Sequence, residues 1–148
     1  MRLFPLHRHA NADAESDAAA GALALRLELE RARRHAHPLT LLRVTAKSET
    51  WRAAAVLREL VRAVDHVWTD RGDVFVLLVE TDRATAQGFL TRARMAAPQL
   101  LAGESVGVGC FPEELTGSAL VAATGHRPPH VVPSWSPARR EAVPESST

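Results

Sequence analysis

The chain has 148 residues, of which 46% are apolar and 24% are charged. A chain of this length and composition can bury one core, so we expect a single domain. Its 18 basic and 17 acidic residues nearly cancel, which argues against a DNA-binding protein that depends on many phosphate contacts. No stretch approaches the roughly 18 apolar residues that a membrane span requires. A single cysteine excludes an intrachain disulfide, as is usual in a reducing compartment. We therefore expect a cytoplasmic protein with no DNA or membrane partner.

The first half of the chain alternates between helical and strand patterns. Residues 17–35 contain no proline and repeat apolar side chains at helical spacing, which predicts a helix that Pro38 closes. Residues 39–45 are short and mostly apolar, which predicts a strand. A second helix is expected from residues 48–50 onward, and it gives way to a strand at 66–69.

A hairpin opens the second half. Residues 70–72 have the composition of a turn, and residues 74–79 are apolar at every position. A run of that kind is typical of a central strand that is covered on both faces. The remaining elements are a helix, a strand and a short helix, which we expect at 81–98, 105–111 and 116–124.

This order of elements predicts an α+β domain with a central, mostly antiparallel sheet that is flanked by helices. The folded domain is expected to span residues 17–125. The flanking segments, 1–16 and 126–148, are polar, and the second contains five prolines. We therefore expect both segments to be disordered.

The hairpin carries the letters Arg71-Gly72-Asp73-Val74-Phe75. This string resembles the Gly-Gly-Asp/Glu-Glu-Phe signature of GGDEF domains, which make cyclic di-GMP from two GTP molecules. Residues 37–42 are similar to the entry strand of that family, and residues 105–114 are similar to its later Ser-Ile-Gly strand. The match covers roughly residues 22–125. The resemblance implies a palm-like fold of the nucleotide-cyclase type.

The chain departs from the family where catalysis would take place. Val74 replaces a carboxylate of the signature, and Thr45 and Lys47 stand where the family has two aspartates. Mg²⁺ requires hard oxygen ligands, and a valine or a lysine supplies none. We therefore expect a degenerate, catalytically inactive domain with no metal or other cofactor.

One ligand motif of the family is retained. Arg62 and Asp65 form an Arg-x-x-Asp string five residues before the signature, and Arg92 falls at the matching position of the next helix. In the family, such residues bind cyclic di-GMP at an inhibition site, so the resemblance implies a cyclic di-GMP receptor. The alternative is a protein–protein interaction or homodimerisation module without a nucleotide ligand. Open, convergent side chains would favour the receptor, whereas burial against other residues would favour the module.

Overall fold

The computed structural model describes residues 3–46, 49–99, 101 and 106–125. Its strands are β1 (Leu39–Thr45), β2 (His66–Asp70), β3 (Asp73–Val79) and β4 (Val106–Phe111). Its helices are α1 (Leu3–His35), α2 (Thr50–Leu60), α3 (Arg83–Ala96) and α4 (Gly117–Ala123). The strands form one antiparallel sheet in the order β2-β3-β1-β4.

Two hydrophobic cores cover the two faces of the sheet, which explains why its central strands are mostly apolar. Successive side chains of a strand point to opposite faces. Val74 and Val76 therefore face the core that includes α2 and α3. Phe75 and Leu77 face the core that includes α1 and α4.

The helix α1 packs against β2, the edge strand of the sheet. Gly21 lies directly on the Trp68 ring, where an added Cβ would come within 2.2 Å of ring atoms. Trp68 in turn stacks on Phe75, with ring centroids 5.6 Å apart. The Asp17 carboxylate accepts hydrogen bonds from the Thr69 backbone N–H at 2.7 Å and from its hydroxyl at 3.0 Å. Through Asp17, α1 thus provides an acceptor for the Thr69 backbone N–H, which on an uncovered edge strand could pair with a strand of another molecule.

The predicted α+β architecture and antiparallel sheet are confirmed, and residues 74–79 lie in a central strand. The structure differs from the prediction at the N-terminus. There α1 begins at Leu3, whereas we predicted disorder over 1–16 and a helix from residue 17. Helix propensity favours this extension, because six of the eighteen residues 3–20 are alanine. The predicted disordered tail, 126–148, lies outside the described residues.

Candidate functional site

The signature residues lie at the β2–β3 hairpin. Asp70 pairs with Asp73, so Arg71 and Gly72 alone form the loop. Their φ angles are 52° and 83°, and two positive φ angles in succession are the geometry of a type I′ turn. Glycine adopts this conformation freely, but Arg71 does so with some strain. The loop is fixed to α2 because the Thr50 hydroxyl donates to the Gly72 carbonyl oxygen at 3.0 Å.

Asp73 and Val74 both lie inside the protein. Val74 is fully buried in the core beside α2 and α3. Asp73 is also buried, and its Oδ2 accepts a hydrogen bond from Arg43 Nε at 2.8 Å. The same guanidinium donates to the Thr124 carbonyl oxygen at 3.3 Å. The signature aspartate therefore ties the hairpin to β1 and to the end of α4.

The donors at this hairpin do not fit a magnesium ion. Thr45 lies opposite Asp73 in the sheet and contributes only a hydroxyl, while Val74 contributes no oxygen. Among Thr45, Asp73 and Val74, the only carboxylate is that of Asp73, and it forms a salt bridge with Arg43. Lys47 lies outside the described residues. Across the described ranges, no three His, Cys, Asp or Glu side chains are grouped as a metal site would require.

Arg62 and Asp65 lie in the turn after α2, because α2 ends at Leu60. The Asp65 backbone N–H donates to the Arg62 carbonyl oxygen at 3.0 Å. The Asp65 carboxylate accepts hydrogen bonds from the Arg62 backbone N–H at 3.0 Å, from its Nε at 3.2 Å and from its Nη2 at 3.1 Å. It accepts a fourth from the Val79 backbone N–H at 2.9 Å. An ionised carboxylate offers about four acceptor positions, so those of Asp65 are occupied.

The Arg62 guanidinium makes further contacts with the end of β3. It donates to the Val79 carbonyl oxygen and to the Thr81 hydroxyl, the latter at 3.2 Å. Its hydrogen bond to Asp65 raises the pKa of Arg62 further above its ordinary value. The Asp65 side chain is 2% exposed and that of Arg62 is 57% exposed. The pair therefore joins the turn after α2 to the end of a central strand.

Arg92 is not brought to this pair. It lies nine residues after Arg83, the first residue of α3, or about 14 Å along the helix axis at 1.5 Å per residue. Arg62, in contrast, reaches Thr81 just before that helix. In the described part of the chain, no hydrogen bond or ion pair connects Arg92 with Arg62 or Asp65. The structure thus unites two of the three predicted ligand residues.

An open groove of about 380 Å³ lies between α1 and the turn after α2. Charges of both signs line it. Arg58 pairs with Asp17 at 3.5 Å, and Arg62 pairs with Asp65 at 3.1 Å. Because both arginines have a carboxylate partner, this groove offers a phosphate less attraction than two unpaired guanidinium groups would.

Sequence reasoning missed the role of Arg43, which holds the signature aspartate. A signal was present, because Arg43 is the one charged residue of β1, a strand that is otherwise apolar or carries threonine. A charge in a central strand needs a partner, since burying it unpaired is costly. The distance in sequence, 30 residues between Arg43 and Asp73, kept that partner from being identified.

Among the described helices, none combines the length and the apolar character that crossing a lipid bilayer would demand.

Solved structures with a similar fold include the GGDEF domain of TpbB (also called YfiN) from Pseudomonas aeruginosa. A truncated form that comprises only this domain has a TM-score of 0.63 and 19% identity, over 72% of this chain and 78% of that one. A second structure of the domain has a TM-score of 0.61 and 21% identity, over 72% and 83% of the two chains. No protein-family model matches the chain, and no curated protein matches it significantly. At these identities, the structural likeness identifies the fold and not the activity. The chain is therefore a domain with the GGDEF fold.

Proposed function

We propose that this chain is a catalytically inactive GGDEF-fold regulatory domain that acts by binding protein, and that it neither converts nor senses a nucleotide. The observation that carries the proposal is that two retained carboxylates are already bound by arginines of the same chain. Asp73 is buried and bound to Arg43. The Asp65 side chain is buried and bound to Arg62. In both cases an arginine of the domain itself occupies the place that a ligand would need.

Absence of catalysis follows from the chemistry of phosphoryl transfer, which depends on metal ions to neutralise charge on the transferred group. At the signature hairpin, Val74 places a buried aliphatic side chain where the family has a carboxylate. We expect no cyclic di-GMP when the purified chain is incubated with GTP and Mg²⁺ or Mn²⁺, with an active diguanylate cyclase as positive control. Product above the level without protein would overturn the proposal.

The competing function is a receptor that binds cyclic di-GMP through Arg62, Asp65 and Arg92. To accept hydrogen bonds from guanine, Asp65 would have to release Arg62 or the Val79 backbone N–H. Releasing the Val79 N–H leaves a partly buried donor without an acceptor, and releasing Arg62 leaves the Asp65 carboxylate, which is 2% exposed, without its cation. Both changes are costly. Arg92 lies well along α3 from this pair. Both observations favour a structural role for the motif.

Binding of protein is favoured by the apolar side chains that the domain leaves in solvent. Leu23, Leu27, Trp51, Met95 and Leu115 are all exposed. Single exposed apolar residues are ordinary on soluble proteins, whereas adjacent ones indicate a contact surface. Leu23 and Leu27 are adjacent, because they are four residues apart on one helix.

A further inference from the structure

The helix α3 turns one side to the sheet and the opposite side to solvent. Its buried face consists of Ala86, Phe89, Leu90 and Ala93. At 3.6 residues per turn, Met95 points about 170° away from the centre of that face. Met95 is 79% exposed, more than any other large apolar side chain of the described residues. The outer side of α3 therefore carries an apolar side chain that a second molecule could bury.

A glycine lies on the same outer side of α3. Gly88 is in the interior of the helix, seven residues and thus about two turns before Met95. Glycine at such a position destabilises a helix by about 1 kcal/mol relative to alanine. The packing of the domain does not require it, because a Cβ added at Gly88 would have no heavy atom within 4 Å. Close approach of another molecule to the backbone accounts for a glycine in this place.

The charge on α3 is entirely positive. From Arg83 to Leu101 the sequence has three arginines and no carboxylate. Arg83 forms a salt bridge at 2.8 Å with Glu113, which lies in the loop after β4. Arg92 is exposed, and none of the described carboxylates pairs with it. Because Arg92 lies three residues before Met95, its guanidinium flanks the exposed apolar side chain.

We propose that the outer side of α3, from Gly88 to Met95, is the docking surface for an acidic amphipathic helix of a partner protein. The inference rests on the proposed function, since it names the surface of the interaction module and the chemistry of its partner. The partner helix would cross α3 at Gly88 and cover Met95, whose flexible side chain adapts to the shape of its neighbours. Carboxylates beside the apolar seam would meet Arg92. A second copy of α3 fits poorly, because self-pairing would place arginine against arginine.

Nuclear magnetic resonance of the isotopically labelled full chain tests the surface with a synthetic probe. The probe is an amphipathic peptide of about three heptads, with leucine at the a and d positions and glutamate at e and g. We expect the amide signals of Gly88, Thr91 and Met95 to shift as the peptide is added. The same peptide with lysine in place of glutamate should not bind, because it would bring positive charge to the arginines of α3.

Gly88→Leu tests the close approach of the helices. The space around this position is open, so the variant should stay folded, which circular dichroism checks. The dissociation constant of the acidic peptide should nevertheless rise at least about tenfold. Arg92→Ala should weaken binding and reduce its dependence on salt concentration. The matched control is Ala122→Leu, at an exposed position of α4 on the opposite face of the sheet, which should leave binding unchanged.

Three results would each overturn the inference: no shift on α3 with the acidic peptide, equal binding of the lysine peptide, or a dissociation constant that Gly88→Leu leaves unchanged. Shifts confined to another surface would also overturn it, but the proposed function would stand. The proposed function fails by different observations, namely GTP turnover or saturable binding of cyclic di-GMP. The two failures are therefore distinguishable.

Discussion

Replacing Asp65 by alanine tests whether the Arg-x-x-Asp motif serves the fold. The Asp65 side chain is almost fully buried, and it accepts hydrogen bonds from the backbone N–H groups of Arg62 and Val79 as well as from the Arg62 guanidinium. Asp65→Ala leaves the partly buried Val79 N–H without its acceptor, at a cost of about 1–3 kcal/mol, whereas water can replace the acceptor of the exposed Arg62 N–H. The guanidinium is more than half exposed, so the ion pair itself adds less than about 1 kcal/mol. We expect the free energy of unfolding to fall by about 1–3 kcal/mol.

Urea unfolding, followed by tryptophan fluorescence and by circular dichroism, measures this loss. Arg62→Ala should lower the free energy of unfolding by about 1 kcal/mol or less. Most of the guanidinium is exposed, so water can reach the oxygen atoms that it releases. The matched control is Glu59→Ala, an exposed carboxylate on α2 whose loss should change stability by less than about 0.5 kcal/mol. An equally small effect of Asp65→Ala would refute a structural role for the motif and would favour the receptor hypothesis.

Three further predictions concern packing, the signature and pH. Gly21→Ala should destabilise the fold by about 1–3 kcal/mol, because the new methyl group would meet the Trp68 ring beneath α1. As a control, Gly88→Ala on the open side of α3 should raise the melting temperature slightly. Equal effects of the two substitutions would contradict the tight docking of α1. Val74→Glu should lower the free energy of unfolding by more than about 2 kcal/mol, without creating GTP turnover, because the new carboxylate would enter a dry core; a stable, active variant would show that the site was misidentified. The Asp82 carboxylate caps α3, and its hydrogen bond from the Thr85 backbone N–H lowers the pKa of Asp82 in the folded protein. Ionised Asp82 therefore stabilises the fold at pH values above its unfolded-state pKa. This stabilisation is lost as pH falls through the lower folded-state pKa. Asp82→Asn should therefore show a smaller drop of melting temperature in acid, and an unchanged drop would contradict this assignment.

Much of the sheet could be predicted because its signals are local. Residues 74–79 are continuously apolar and residues 39–45 are mostly so, and a strand buried on both faces favours that pattern. The start of α1 could not be predicted from periodicity, because residues 7–22 contain no large apolar side chain. Amphipathic spacing begins only where the helix meets the sheet, near Gly21. Six alanines between residues 10 and 20 favour a helix ahead of that point.

The candidate site was only partly predictable for a different reason. The spacing of Arg62 and Asp65 correctly indicates that the two side chains meet. It cannot show that Asp65 also binds the Val79 backbone, 14 residues away, because that contact depends on how β3 ends beside the turn after α2. Arg92 matched the family by its position in sequence alone. The rise of α3 carries it away from the pair.

Isothermal titration of the full chain with cyclic di-GMP, up to about 1 mM ligand, tests most directly whether the domain binds this nucleotide. We expect no saturable heat from the wild-type chain or from Arg62→Ala, because Asp65 and Arg62 are already bound to each other and to β3. Arg34→Ala, which removes an exposed arginine of α1, serves as the matched control for loss of charge. Saturable binding tighter than about 100 µM, weakened by Arg62→Ala and unchanged by Arg34→Ala, would contradict the claim that the domain senses no nucleotide.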